Sequence, residues 1–567
     1  MAGWRGRRRR ATGVLLGLLS CGSLEAQVPP NGKAAGTKEK EETCRISGMV
    51  VKLADGTPLK NATVQLTNDA DREHIIATKS GSDGRFALKN VPAGRYKLVV
   101  SRNGYVSAEY GQKKPADPGG VFALASGEIR QDLLFKLIPA AVIAGRVFDE
   151  DGEPAPRVSV VASREVYHQG RRTRASTAGS ETDDLGQYRL FGLAPGRYYV
   201  SASQPTWGTT TGDREFAGGA ENEAEKAYAK TYYPSTPDPG KAVLISVKEG
   251  EEIPGTDIAL KQVVVHRIRG KVFNQMTRKG ATEASLELVF RNPQLEWDSG
   301  GGQEVKKADG SFEFPNVVPG SYELVAFWFD QGKYYLAKEK VDVADSDLDG
   351  IVLTLGAGTV VPGRVRWEGK PSLERDELYI SLEPAEVRYV IGPRSRVDAT
   401  QQFTLRDVNE GDYRVSASGM SRDCYIKSVE YGDAAVENEM ISVARSGGAR
   451  LELTISSRGA RIEGAVTDKD GLPATGVWAV AVPDEAKRNN SNSFAAQTTD
   501  QYGKYDLRGL APGSYKIFGW TGVEQGEWED PDFLKAQEAK GEPVEVRDED
   551  RKTVNLKVIE KNGEGRP

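Results

Sequence analysis

Polar and apolar residues alternate with period two through much of the chain, and one version of that alternation recurs five times. In the last copy, residues 500–517, Tyr505 and Leu507 share one phase while Lys504, Asp506 and Arg508 share the other. Period two predicts strands with one buried and one wet face. Each copy then carries a glycine (Gly94, Gly196, Gly320, Gly411, Gly513), a tyrosine two residues later (Tyr96, Tyr198, Tyr322, Tyr413, Tyr515) and an apolar residue four later (Leu98, Val200, Leu324, Val415, Ile517). Ahead of the glycine stand an aromatic (Phe86, Tyr188, Phe312, Phe403, Tyr505) and, two residues on, Leu88, Leu190, Phe314, Leu405 or Leu507. The joint between the two strands, Leu-Ala-Pro-Gly at 510–513, predicts a turn, with proline fixing φ and glycine reaching positive φ. The proline wanders among copies, and Glu410 replaces it in the fourth, but the glycine stays.

Each repeat opens on a Gly-x-Val strand at Gly48, Gly145, Gly270, Gly363 and Gly464, and 46 to 51 residues separate this glycine from the turn glycine. Turn signals such as Asp55-Gly56, Asp151-Gly152 and Asp470-Gly471 follow, then a second β-rich run. An Asp with a nearby Gly leads into the aromatic strand, as in Asp83-Gly84, Asp309-Gly310 and Asp500 with Gly503; Gln401 stands in the glycine's place in the fourth copy, which predicts a different turn there. A strand pair around a charged turn closes each copy, for example 121–124 with 133–137. About seven strands in roughly 100 residues predict a two-sheet sandwich with one core. The expected fold is all-β, a tandem array of five seven-stranded Greek-key sandwiches at 44–138, 139–262, 263–357, 358–456 and 457–560, with a tail at 561–567. The short connections between them predict a semi-rigid rod or arc with contacts mainly between neighbours.

Two repeats carry extra material, and insertions on a repeated scaffold are where function most often sits. Residues 204–233 of the second are polar and Gly-rich, with an Ala/Glu/Lys stretch at 221–230 that predicts a short helix. In the fifth, within 521–541, Asp530-Pro531 predicts a capped helix running to Lys540 and stopped by Gly541. Trp520, Trp528 and Phe533 cluster there, and Trp207, Tyr232 and Tyr233 in the earlier insertion. These six are the candidate ligand-binding residues. For Trp520, Trp528 and Phe533 a small satellite core is the competing and favoured explanation. The repeated tyrosine reads as structural, a buried ring whose hydroxyl is tied to nearby backbone.

Residues 1–26 carry Arg5, Arg7, Arg8, Arg9 and Arg10, an apolar run at 11–20, then Leu24-Glu25-Ala26. That is the pattern of an export signal, with an apolar run too short to span a bilayer. Cleavage after Ala26 is favoured over lipidation at Cys21, and 27–43 reads as a disordered Pro, Gly and Lys/Glu linker. No later segment is apolar enough to cross a membrane, so a periplasmic, outer-envelope or extracellular protein is expected. The leader's net charge is +4 and the whole chain's −5, leaving −9 without it. Without a basic face, nucleic acid is excluded as the partner. Past the leader only Cys44 and Cys424 remain, in different repeats, each expected to be a small buried hydrophobe.

The three histidines, His74, His168 and His266, occupy unrelated positions, and no zinc-protease, nucleophile-elbow, phosphate-loop or Cys-x-x-Cys pattern occurs. Residues 345–350, Asp-Ser-Asp-Leu-Asp-Gly, match the first half of a calcium loop, but Gly356 stands where the bidentate Glu belongs. A solvated acidic turn is the expected reading, and no catalytic residue, metal or cofactor is expected.

Gly-x-Val, the Asp-Gly-x-Pro turns at 151–154 and 470–473, and the run from Gly186-Gln-Tyr188 through Pro195-Gly196-Arg-Tyr198 together resemble carboxypeptidase regulatory-like domains. The resemblance covers 44–560. It implies prealbumin-like sandwiches, of a kind grouped with carbohydrate-binding-like folds and found beside zinc carboxypeptidases and in envelope proteins. Residues 425–429 and 530–534 further resemble exported multi-repeat proteins of soil bacteria whose role is uncharacterised. With no zinc-ligand set before or after the repeats, the resemblance implies a fold and no activity. The expected function is a non-catalytic exported scaffold or adhesion-type protein of the cell envelope whose partner is a glycan or an extracellular protein. The alternatives are a true carbohydrate-binding protein, or an accessory subunit of an extracytoplasmic peptidase or outer-membrane transporter.

Overall fold

The structure, a computed structural model, describes residues 43–561 except 69–74, 116, 169, 205–225, 292–298, 331–332, 375–376, 386–391, 445–446 and 448. Residues 1–42, with the expected leader and most of the linker, and the tail beyond 561 lie outside the described residues. The regular secondary structure is almost wholly strand, with one seven-residue α-helix and a few single 3₁₀ turns among the described residues.

In repeat one the opening strand Cys44–Lys52 pairs antiparallel with Arg85–Val91 and parallel with the closing strand Ile129–Leu137. Facing it, Thr63–Asn68 lies between Ile75–Lys79 and Gly94–Ser101, and Gly94–Ser101 also pairs with Ala108–Glu109 and Phe122–Leu124. The predicted alternation is realised: Phe86 and Leu88 point into the core while Arg85, Ala87 and Lys89 face water. Between the sheets lie Ile46, Val50, Val64, Leu66, Tyr96, Leu98, Phe122 and Leu137. Four further cores of this kind, each drawn from one repeat, follow along the chain. The plan is varied locally. Repeat three joins its two sheets where Tyr335 and Leu336 of the strand Lys333–Val343 pair with Ala357 and Gly356. Repeat four adds Tyr425–Tyr431 beside its closing strand Leu451–Ser456.

Two of the repeated signals turn out to be partners. The opening glycine stands opposite the later aromatic in every copy: Gly48 with Phe86, Gly145 with Tyr188, Gly270 with Phe312, Gly363 with Phe403 and Gly464 with Tyr505. On its other side runs the closing segment, whose carbonyl fills the place of a side chain. A Cβ on Gly145 would lie 2.2 Å from the Thr256 oxygen, and one on Gly48 2.2 Å from that of Leu133. In repeats two and five the aromatic is a tyrosine that donates to the same carbonyl, Tyr188 to Thr256 and Tyr505 to Val554, both at 2.6 Å. The second repeated tyrosine is tied as expected. Tyr96, Tyr198, Tyr322, Tyr413 and Tyr515 each donate to the carbonyl four residues back, at 2.6–2.9 Å.

Four expectations need correction. Gln401 does not change its turn: it takes φ 64°, in the range of Gly84, Gly186, Gly310 and Gly503, and its N–H donates to Asp398 as that of Gly503 donates to Asp500. Its side chain accepts from Trp367 Nε1 at 2.9 Å, a contact glycine lacks. The closing strands of repeat one are not a hairpin, because Phe122–Leu124 and Ile129–Leu137 enter opposite sheets and their turn bridges the sandwich. Within 221–230, Lys226–Ala229 is a strand paired with Lys261–Val264, since that partner supplies ladder hydrogen bonds and buries Ala229; residues 221–225 lie outside the described residues. Finally, contacts are not confined to sequence neighbours. Repeat five touches repeat four, as expected, and also repeats one and two.

Repeat one meets repeat five through the Gln501 side chain, which receives the Ala123 N–H at 3.2 Å and donates to the Ala123 carbonyl at 2.8 Å. Gly522 N–H donates to Asp117 at 3.1 Å, and the Arg130 guanidinium lies over the Tyr502 ring. Gly476 takes φ 70° and a Cβ there would meet the Gly111 carbonyl at 2.8 Å, so the approach of the two repeats itself requires glycine.

Candidate binding surface

Burial settles the positions of most of the six candidate aromatics. Trp520 is fully buried and Trp528 is 4% exposed, and with Phe518, Val480, Val482, Val523 and Leu534 they form a sixth, smaller core. Phe518 stacks on Trp520 at 4.3 Å, Phe533 meets Trp520 edge-on at 5.4 Å, and Trp478 meets Trp528 edge-on at 4.8 Å. The helix Pro531–Gln537 begins as predicted, with Asp530 accepting from the N–H groups of Asp532 and Phe533, and ends in a 3₁₀ turn to Lys540. Gly541 follows because a Cβ there would lie 2.4 Å from the Phe518 ring. This is the satellite core that competed with a ligand platform. Rings of this size bury 150–250 Å² each, and a polar loop secures them by folding onto its own sandwich. As they stand, Trp520 and Trp528 present no open face, a correction to their candidacy as a stacking platform. In repeat two Tyr232, 3% exposed, is corrected in the same way, whereas Tyr233 packs against the core but stays partly exposed. Trp207 lies outside the described residues.

What the insertion does present is its polar side, which reaches other repeats. Repeat two extends the hairpin Ser159–His168 and Arg171–Glu181 well beyond its counterparts, and the hairpin's end meets the insertion. Arg172 lies 3.6 Å from Asp530 and over the Tyr167 ring, and Gly170 sits where a Cβ would be 2.5 Å from the Glu529 carbonyl. Glu527, 2% exposed, accepts from Glu524 N–H at 3.1 Å and from Lys561 Nζ at 2.6 Å. Burial, with Glu527 nearby, pushes the Tyr167 hydroxyl up to about 12. Burial also raises the Glu524 carboxyl, against the pull of Arg164.

Two clefts result. One, of about 1370 Å³, lies among repeats two, four and five, bordered by Arg171, Glu383, Arg414, Arg488, Glu529 and Lys535. Part of its charge is engaged: Arg488 donates to both oxygens of Glu538 at 3.2 Å, and Arg414 to the Asn489 carbonyl at 3.2 Å. The other, of about 930 Å³, lies among repeats one, two and five, with Arg422 of repeat four also on its wall, and Tyr167, Trp478, Arg164, Glu524 and Gln525 contribute to it. Neither Tyr167, Trp478 nor Arg164 was a candidate from sequence. The lengthened hairpin left little trace in sequence, since the 51-residue spacing of repeat two stands beside 46, 50, 48 and 49 in the others.

The 345–350 turn has its carboxylates directed at arginine. Asp347 and Asp349 lie 3.1 and 3.0 Å from Arg269, and Asp347 also accepts the Arg267 N–H at 2.9 Å. Among the described residues no group of three or more His, Cys, Asp or Glu side chains is placed to hold a metal ion. Cys44 and Cys424 are buried and unbridged. No helix among the described residues is long and apolar enough to cross a membrane.

Residues 45–121 and 142–224 match the family model of the carboxypeptidase regulatory-like domain. No curated protein matches the chain. Similar solved structures include the Bacillus anthracis TIE protein, at 12% identity over 56% of this chain and 51% of that one, with a TM-score of 0.15. The chain thus spans about half the length of that protein. Others are the minor pilin of Streptococcus agalactiae, 15% identical over 39% of this chain and 97% of that one with a TM-score of 0.22, and two B repeat units of the collagen-binding protein of Staphylococcus aureus, 10% identical over 73% and 100% with a TM-score of 0.12. No role follows from likenesses this remote.

Proposed function

We propose that the chain is an exported, non-catalytic scaffold or adhesion-type protein of the cell envelope, divided into sandwiches at 44–138, 139–262, 263–357, 358–456 and 457–560, whose binding surface lies where repeat five meets the others. One observation carries this reading. The residues the repeats share are spent on the fold, as the glycine–aromatic pairs and tied tyrosines show, whereas two departures from the repeat, the long hairpin of repeat two and the insertion of repeat five, meet each other. Partly exposed aromatic and charged side chains collect at that meeting point. The expected partner is a glycan or an extracellular protein. A carbohydrate-binding protein is the more specific alternative, favoured by Tyr167 and Trp478 in the smaller cleft; an accessory subunit of an extracytoplasmic peptidase or transporter is the more distant one.

The folded full-length chain is tested on a glycan array and, by cell fractionation, for its compartment. Recovery outside the cytoplasm with saturable glycan binding supports the reading. Retention in the cytoplasm overturns export, and a folded chain that binds no glycan removes the carbohydrate alternative.

A further inference from the structure

We propose that the cleft among repeats one, two and five is a binding site for a neutral oligosaccharide. The inference deepens the carbohydrate alternative above and rests on it. A sugar ring presents an apolar C–H face and a rim of hydroxyls that each donate and accept, so its recognition calls for an aromatic face beside planar polar groups of both kinds. The smaller cleft assembles that set from separate repeats: Tyr167 and Arg164 from the hairpin of repeat two, Trp478, Glu524 and Gln525 from repeat five. Both rings are partly exposed. A volume of about 930 Å³ lies within the usual range for small-ligand sites, about 300–1,000 Å³.

The polar groups are available. Among the described residues the Arg164 guanidinium makes no hydrogen bond or ion pair, its backbone being paired with Ala175 in the hairpin, nor does the Glu524 carboxylate, whose residue donates only its N–H, to Glu527. Both line the cleft and no ion pair joins them, which leaves a guanidinium donor and a carboxylate acceptor for one ligand to bridge. Other charges on the wall are of mixed sign, Lys97 and Arg422 against Glu109 and Asp117, with Lys97 and Glu109 already paired at 2.6 Å. That balance suits a neutral ligand and gives a polyanion nothing to gain. The larger cleft has no comparable exposed ring, since its one aromatic, Tyr515, is buried and tied to Ala511.

The test uses the full-length chain and a panel of short neutral and uronate oligosaccharides, with affinities by titration calorimetry. A neutral member binds, and Arg164→Ala and Tyr167→Ala each weaken it at least about tenfold, while Phe191→Ala, an exposed ring elsewhere on repeat two, leaves it unchanged. Trp478 also packs on the satellite core, so it is replaced by Phe, and every variant is checked for an unchanged melting temperature. If a neutral sugar binds and both repeat-two variants keep full affinity, the site is refuted while the carbohydrate reading stands. If no panel member binds, both fall, and binding of uronates alone refutes the neutral class.

Discussion

The side-chain amide of Gln501 hydrogen-bonds both backbone groups of Ala123, 378 residues earlier in the chain. Ala123 lies in Phe122–Leu124, an edge of its sheet, and the amide covers that edge as a paired strand would. Gln501→Glu replaces the donor by a carboxylate facing the Ala123 carbonyl. The expected loss is about 1–3 kcal/mol at the junction, with the cores of repeats one and five untouched. Hydrogen exchange at 117–124 should speed by about tenfold or more while the amides of Cys44–Lys52 keep their protection. Equal acceleration of both would mean that the contact stabilises the whole repeat and not the junction.

Two glycines of repeat five separate steric need from conformational need. A Cβ on Gly464 would lie 1.8 Å from the Val554 carbonyl, which cannot retreat because it also accepts from Tyr505. Gly464→Ala should destabilise the repeat by about 3 kcal/mol or more. Gly471 has φ 78° and nothing within 4 Å of its Cβ position, so Gly471→Ala should lose only about 1 kcal/mol. Urea denaturation of the two variants gives the ranking, and equal losses would refute the packing argument.

Much of the fold was legible because its signals are local. The tyrosine after each turn has its acceptor four residues back, and Asp530 caps the helix it precedes. The glycine–aromatic pairing was visible only as two separate repeats, because cross-strand partners about 40 residues apart leave no mark of their contact in one sequence. The junctions were hidden for the same reason: nothing local to Gln501 or Ala123 announces the other. The candidate rings of repeat five were open to either explanation in the sequence, since a cluster of large rings reports burial as readily as exposure.

Gln401 tests whether the turn tolerates a side chain or uses it. Its positive φ strains the backbone by about 1 kcal/mol relative to glycine, while its bond to Trp367 returns about as much. Gln401→Gly should therefore change the stability of repeat four by less than about 0.5 kcal/mol. Gln401→Ala, which keeps the strain and loses the bond, should destabilise it by about 1 kcal/mol. If the glycine variant is less stable than the wild type by more than that, the Trp367 bond contributes more than the backbone term; if the alanine variant is no less stable than the glycine variant, the backbone term is refuted.

Three carboxylates are pushed above their ordinary values by burial, and each lies at a contact of repeat five with another repeat. Asp117 of repeat one accepts from Gly522 and from Lys114 N–H, with Lys113 near. Glu439 of repeat four accepts from Asn492, with Asn490, Arg414 and Glu383 around it, and Glu524 of repeat five faces Arg164, Glu527, Lys561 and Glu165. Within repeats the shifts run the other way: bonds from the Ser311 hydroxyl and N–H, with Lys271, hold Asp309 down to about 2. A carboxyl whose value is higher when docked binds more protons docked than free, so docking strengthens as pH falls and weakens as pH rises through the raised value. The contribution is complete only below the ordinary carboxylate range near pH 4, while the in-repeat carboxylates still support each sandwich at pH 5. Small-angle scattering of the full chain from about pH 5 to about pH 8 should show expansion as pH rises, with the β-sheet circular dichroism constant. Asp117→Asn, Glu439→Gln and Glu524→Gln together, neutral at every pH, should hold the compact dimension throughout. A chain that expands on acidification, or a triple variant that keeps the pH response, would refute the assignment to these three groups.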